Sequence, residues 1–279
     1  MLSKSSQISY RAKRQDRELR LTNPAWAWEY LRRNTQYQQD YNRNRSGAPT
    51  PVKLSTGCLL LRESRRWPDA EKWGLLTFED PAKPTSNANV FWRPDLLAGA
   101  LKVQLHPIED GVMRPDIAQD EIILSRIKTK RVVLSAVDKT VHMLMGGERF
   151  WIHLYCENAR AVNDRTRVGV QIEGMKHFQR RLDTASQLLS LYQSSGKNLS
   201  LIGRNKSSKR LADGLIAFDI IQDGGSHRDA AIGVYGFETV SENWSQSGSY
   251  LEDATRRLIH RAHHLVDSGY CEFLTKKNI

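Results

Sequence analysis

Cysteine is scarce: Cys58, Cys156 and Cys271 are the only three in 279 residues, and they stand far apart. An odd count with no close pair excludes a disulfide framework and a CxxC metal knuckle, leaving them as small core residues. Long apolar runs are missing as well. The best candidates, around Leu96–Leu105 and Val132–Val137, fall far short of the roughly 20 residues that cross a bilayer, so no membrane span and no membrane partner are expected. The opening residues Met1 to Gln7 hold no apolar stretch before a small-residue cleavage site, which argues against secretion and for a cytoplasmic protein. Catalytic signatures are absent too. There is no Walker loop, no GxGxxG after a strand, no HExxH, no GxSxG and no Cys/His nucleophile arrangement, so neither a catalytic residue nor a cofactor site is expected. His260, His263 and His264 sit on one candidate helix, but no carboxylate or thiolate joins them as a convincing ligand, and they read as solvated side chains and not as a metal site.

What the chain does have is positive charge. Lys and Arg number 42 against 31 for Asp and Glu, a net charge of +11 and a pI near 9.7, which favours a polyanionic partner such as nucleic acid. The excess is uneven: residues 1–51 carry +6, residues 52–205 another +6, and residues 206–279 carry −1. Hydrophobic residues are 39% of the chain and the mean hydropathy is −0.56, as in a polar globular protein long enough for about two domains.

The pattern divides into five stretches with an α+β make-up: an N-terminal helix, a β-rich middle domain and a C-terminal all-α, helix-turn-helix-like domain. Residues 1–21 read as a basic arm without apolar periodicity. Residues 22–51 form a helical motif in which Asn23 caps one helix running to about Arg43, with Pro24 in its first turn. On it Trp26, Tyr30, Tyr37 and Tyr41 recur at helical spacing, while Arg32 and Arg33 face outward or sideways. Residues 52–172 hold the β-rich domain, with strands at Cys58–Leu61, Leu75–Phe78, Leu101–Leu105, Ile122–Ile127, Arg131–Val137, Thr140–Met145 and Arg149–Tyr155. Residues 173–208 form a helix and a linker, and the helix places Met175, Phe178, Leu182, Leu188, Leu189 and Leu191 roughly on one side.

Residues 209–279 carry the sharpest local signals. Arg210–Gln222 is amphipathic and Asp223-Gly224-Gly225 stops it. Ser226 with Asp229 matches a capping box that opens a short helix from His227 to Tyr235. A turn is expected at Val240–Trp244, and Ser249 with Glu252 opens a longer helix to about Ser268. That helix buries Leu251, Ala254, Leu258, Ala262 and Leu265, and its other side carries Asp253, Arg256, Arg257, His260, Arg261 and His264. Guanidinium forks suit both phosphate oxygens and guanine O6/N7. Base reading therefore falls to this helix, residues 249–268, with the basic arm and residues 197–210, Lys209 and Arg210 among them, supplying part of the phosphate affinity.

Two segments resemble a known family. Trp26-Ala27-Trp28-Glu29-Tyr30-Leu31-Arg32-Arg33-Asn34, continuing through Tyr37 and Tyr41, is similar to the N-terminal motif of FseA-type proteobacterial activators of integrative and conjugative element excision and transfer. Thr35 stands where that motif usually has proline. Residues 210–274 resemble the same family's C-terminal helix-turn-helix variant, on Leu215, Asp219, Gly224-Gly225-Ser226, Arg228, Ala230-Ala231, Tyr235-Gly236, Trp244, Arg256-Arg257-Leu258, Gly269-Tyr270 and Leu274. Trp73–Pro81 and Phe91-Trp92-Arg93-Pro94 look like further landmarks. The resemblance implies a transcriptional activator that binds double-stranded DNA upstream of excisionase or conjugation genes, with Arg228, Arg256, Arg257 and Arg261 in contact with DNA. It also implies an antiactivator protein as a partner. RNA polymerase and a second copy of the chain join the expected partners, and the protein would associate with the nucleoid.

A second reading makes the chain a protein-binding antiactivator or adaptor that uses the same helix face without touching DNA; the −1 balance of residues 206–279 favours it. A third, a nucleic-acid enzyme, would need clustered carboxylates, and Glu109-Asp110 with Asp116, Asp120 and Glu121 read better as a solvated loop.

Overall fold

The computed structural model describes residues 21–47, 49–108, 121–147, 150–157, 165–194, 207–244 and 250–275. The expected basic arm up to residue 20, the acidic residues 109–120, most of the 194–208 linker and the Ser249 cap lie outside the described residues. The chain is α+β, with N-terminal helices, a mixed sheet in the middle and a C-terminal helical region. In chain order the helices are α1 (Asn23–Leu31), α2 (Thr35–Asn44), α3 (Pro68–Glu71), α4 (Phe178–Gln193), α5 (Ser208–Gln222), α6 (His227–Tyr235), α7 (Phe237–Asn243), α8 (Tyr250–Asp267) and α9 (Glu272–Thr275). The strands are β1 (Val52–Lys53), β2 (Leu59–Arg62), β3 (Leu101–Pro107), β4 (Glu121–Ile123), β5 (Lys130–Ser135), β6 (Val141–Gly147), β7 (Phe150–Cys156) and β8 (Arg165–Gln171). They fall into two compact units. Met1–Asn34 joins Gly203–Phe273 and Asn278–Ile279 in a helical unit, and Thr35–Ile202 with Leu274–Lys277 makes a sheet unit.

The single N-terminal helix expected from the aromatic spacing is two helices. Thr22, not Asn23, precedes the first, and its carbonyl accepts the Trp26 N–H at 2.9 Å. The first helix closes with short-range bonds from Arg33 N–H to the Tyr30 carbonyl (3.1 Å) and from Asn34 N–H to the Leu31 carbonyl (2.9 Å). Such three-residue bonds tighten the last turn and end the helix. Side-chain ties of Arg33 and Asn34 elsewhere in the helical unit, described below, hold the break open.

In the sheet unit the eight strands among the described residues run in the order β1-β2-β5-β6-β7-β3-β8-β4, parallel at β2/β5 and β3/β7 and antiparallel elsewhere. Side chains alternate between faces, as a pleated strand requires. Val133, Met143, Met145, Ile152 and Leu154 share one core with Leu188 and Leu191 of α4. Val132, Leu134 and Leu144 share another with Phe91 and Leu61. Both faces are covered, which is why these strands read as near-continuous apolar runs. The turn after β5 places Lys139 at φ 66°, with the Thr140 N–H donated to Asp138 Oδ1 at 2.9 Å.

Three strand expectations change. Leu75–Phe78 is not a strand but a single bridge from Leu75 to Trp92, because the following Glu79 is drawn to Tyr37, whose hydroxyl donates to the Glu79 carbonyl at 2.6 Å. Ile122–Ile127 leaves the sheet at Ile123 and turns through a 3-10 segment, Leu124–Arg126. β8 has no counterpart among the expected strands: its alternation of exposed Arg167 with buried Thr166 is too polar to stand out. α4 begins at Phe178, after Met175, and buries Leu188 and Leu191 while Phe178, Leu182 and Leu189, like Met175, lie at the surface, so the six apolar residues do not form one buried side.

In the helical unit the local signals translate closely. α5 ends in a Schellman arrangement: Gly224 adopts φ +84°, its N–H bonds to Ile221 and that of Gly225 to Ile220, at 3.0 and 2.9 Å. The Ser226/Asp229 capping box is formed, with Asp229 N–H to Ser226 Oγ at 3.1 Å and Ser226 N–H to Asp229 Oδ2 at 2.9 Å. The expected turn at Val240–Trp244 is a full short helix, α7, which buries Val240 alone. α8 spans Tyr250–Asp267 and a 3-10 turn follows at Gly269–Cys271.

Candidate nucleic-acid interface

The candidate interface depends first on what holds α8. Its inward stripe is Thr255, Leu258, Ile259, Ala262, Leu265 and Val266; Leu251 and Ala254, expected there too, are only partly buried. Leu258 and Ile259 pack with Ala217 of α5 and with Ala230 and Val234 of α6. Gly214 lets the helices close up, since a Cβ there would stand 2.9 Å from the Tyr30 hydroxyl and 3.7 Å from Ala262.

α1 completes this unit. Trp26, Trp28, Tyr30 and Leu31 are fully or almost fully buried. The Tyr30 hydroxyl donates to the Leu211 carbonyl at 2.9 Å, and its ring stacks on Phe273 with centroids 6.0 Å apart. Asn34 Nδ2 donates to the Val266 carbonyl at 3.1 Å, tying the end of α1 to the last turns of α8. Arg33 forks onto Asp219 of α5, Nε to Oδ1 at 2.7 Å and Nη2 to Oδ2 at 3.0 Å, and reaches Glu29 Oε2 at 3.0 Å. Burial acts to lower the Arg33 pKa, but the hydrogen bonds and charges of Asp219 and Glu29 outweigh it, so the pKa is raised and the guanidinium stays charged. Arg33, with 8% of its side chain exposed, therefore does not face outward. Arg32 turns back to Glu29 at 2.7 Å. The signal that could have found this clamp was the i, i+4 spacing of Glu29 and Arg33 on one helix.

The outward stripe of α8 carries the expected charged residues. Arg256, Arg257, His260, Arg261 and His264 are all exposed. Two of the cations are tied to carboxylates: Arg256 pairs with Asp253, and Arg261 lies 3.2 Å from Glu272. His264 Nε2 is 3.4 Å from the same carboxyl group. Arg257 and His260 make no ion pair among the described residues, and each lies one turn from an arginine, at i+4 to Arg261 and i+4 from Arg256 respectively. The histidines do not converge. His263 turns inward and meets the Phe218 ring edge-on at 4.9 Å. Among the described residues no group of three His, Cys, Asp or Glu could hold a metal ion.

The other expected contacts sit at helix starts. Arg228 is exposed in the first turn of α6, and Lys209 and Arg210 are exposed in the first turn of α5. Between Arg228 and Arg256 the sequence has no lysine or arginine and five acids, Asp229, Glu238, Glu242, Glu252 and Asp253. The cations thus lie before and after an acidic stretch that includes all of α7. Among the described residues no helix is long and apolar enough to cross a membrane.

Comparison with known families gives two matches. Residues 10–76 match a family described as a proteobacterial transcriptional regulator-like domain. Residues 167–275 match a family described as a T6SS transcription factor, DNA binding domain. No curated protein matches the chain. Both descriptions are of regulators, and together they support a DNA-binding transcription regulator.

Proposed function

We propose that the chain is a sequence-reading transcriptional activator that binds double-stranded DNA through its helical unit and controls excision or conjugative transfer genes of a mobile element. The observation that carries this reading is the exposed cationic stripe of α8, which lies inside the segment matched to a DNA-binding domain. In it Arg256, Arg257, His260 and Arg261 face solvent on a helix whose other side is locked into a core. Arg257 is free for a base edge. Arg256 and Arg261 exchange exposed carboxylates for phosphate or guanine, a small loss because exposed ion pairs contribute little. Arg228, Lys209 and Arg210 supply backbone contacts at helix starts, where the positive end of the helix dipole also favours phosphate. The activator role and the mobile-element targets rest on the N-terminal motif around Trp26–Asn34. RNA polymerase at the promoter, an antiactivator protein and, on a palindromic target, a second copy of the chain are the partners this role brings, in the cytoplasm at the nucleoid.

A second reading has its own observation. The acidic stretch from Asp229 to Asp253 and the pairing of two α8 arginines lower the positive potential of the helical unit, which suits an adaptor that binds protein through the same face.

The test is transcription from a candidate promoter with purified protein and polymerase, alongside protection of the promoter DNA from cleavage. The activator reading expects a discrete protected site and more transcript. Protein that leaves the DNA unprotected at physiological salt, yet represses a second activator by binding it, contradicts that reading in favour of the adaptor.

A further inference from the structure

The sheet unit carries its own concentration of positive charge in the turn that enters β5. Arg126, Lys128, Lys130 and Arg131 fall within six residues, and no acid stands between Glu121 and Asp138. The turn is firmly built. Leu124 and Ile127 are buried at 2% and 1% exposure. Arg131, itself 8% exposed, donates from its guanidinium to the carbonyls of Leu124, Ile127 (2.6 Å) and Thr56 (3.1 Å). Among the described residues it pairs with no carboxylate, and its Nε is buried without a partner. A cation buried among carbonyls alone is costly, and an approaching anion lowers that cost.

Over this scaffold Arg126 and Lys128 are exposed and make no ion pair among the described residues. Lys130 lies over the face of Trp151, its Nζ 5.3 Å from the ring centroid. The arrangement selects among nucleic acids. Single strands are held largely by bases stacking on aromatic rings, and here the half-buried Trp151 face is already covered by an ammonium group. What remains open is cationic and suits phosphate.

We propose that this turn is a second phosphate-contacting surface, binding the backbone of double-stranded DNA without reading its sequence. It rests on the DNA-binding reading above and adds the sheet unit to it. Because hydrogen bonds to three carbonyls preform the turn, little conformational freedom is lost when Arg126 and Lys128 meet phosphate.

The experiment measures the full chain and its Arg126→Ala/Lys128→Ala variant on a selected duplex and on a random duplex, over a range of salt concentrations. Both replaced residues are exposed, and a melting curve confirms that the fold is kept; Arg126→Gln/Lys128→Gln serves if the alanine variant melts early. The expected result is an equal fold-loss of affinity on both duplexes, with the salt slope of log K reduced by about two, or about one per phosphate contact. The selected motif stays the same. If the slope and both affinities are unchanged while the parent chain still prefers its motif, the turn does not touch DNA and the proposal is overturned, with the DNA-binding reading intact. Loss of preference between the duplexes overturns it too, because the turn would then be reading sequence. If the parent chain itself shows no salt-dependent binding to either duplex, the DNA-binding reading fails and takes the proposal with it.

Discussion

Arg33 and Asp219, 186 positions apart in sequence, are joined by a two-pronged ion pair of 2.7 and 3.0 Å that ties the end of α1 to α5. The helical unit is therefore built from two segments far apart in the sequence. Asp219→Ala leaves a largely buried guanidinium with Glu29 as its remaining partner, and is expected to destabilise the helical unit by about 3 kcal/mol. Chemical denaturation of the variant checks this; a loss below about 1 kcal/mol would show the pair to be incidental.

The same relationship predicts how fragments behave. A fragment covering 203–279 lacks Trp26, Trp28, Tyr30 and Leu31, all at or near zero exposure in the intact protein, and is expected to be partly unfolded. Joining residues 21–34 to it should restore a cooperative melt. A sharp transition in the short fragment alone would contradict this.

Gly214 offers a narrower check on the same packing. Gly214→Ala pushes against the Tyr30 hydroxyl, 2.9 Å from the added Cβ, and threatens its hydrogen bond to Leu211. The expected cost is about 1–2 kcal/mol, despite the better helix propensity of alanine. A Tyr30→Phe background should absorb much of that cost, which a double-mutant cycle measures.

The sheet unit predicts a pH dependence. His142 Nδ1 and His153 Nε2 are 3.2 Å apart in the core. Burial lowers the pKa of His142 to about 4, slightly offset by Asp138. Burial first, and then His142, hold that of His153 well below its usual value. Both groups bind fewer protons folded than unfolded, so stability is complete above about pH 6.5 and falls as pH drops towards 4. Urea midpoints across this window should decline with acid, and His142→Gln should shrink the decline between pH 6.5 and 5. An unchanged profile would mean that other groups set the slope.

Much of the helical unit was legible because its signals are local. Gly224 and Gly225 stop α5 through carbonyls three to five residues back, and Ser226 and Asp229 cap α6 within a single turn. The amphipathic stripe of α8 repeats every turn. What could not be read is what distance in sequence hides. Arg33 looks like any surface arginine until Asp219 is beside it, and the break at Asn34 depends on Val266, 232 positions away. In the sheet unit the meander from β5 to β7 was legible from its apolar runs and the turn at Asp138-Lys139, although Gly146-Gly147, expected as the next turn, pair within β6 with Trp151 and Phe150; β8 was not legible, since its place between β3 and β4 comes from non-local pairing. Arg256, Arg257, His260 and Arg261 were readable as an exposed face, and the pair of Arg256 with Asp253 follows from its i, i+3 spacing, but the ion pair of Arg261 with Glu272, which lies past the end of α8, was not.

Whether α8 reads DNA sequence is decided by selection from fragmented genomic DNA near physiological salt. Intact protein and the Arg256→Ala/Arg257→Ala variant are run in parallel. Both arginines are exposed, so the variant should melt as the parent does. The expected result is one discrete motif with the parent and its loss with the variant. Recovery of the same motif with both proteins, or of no motif with either, would contradict sequence reading by α8.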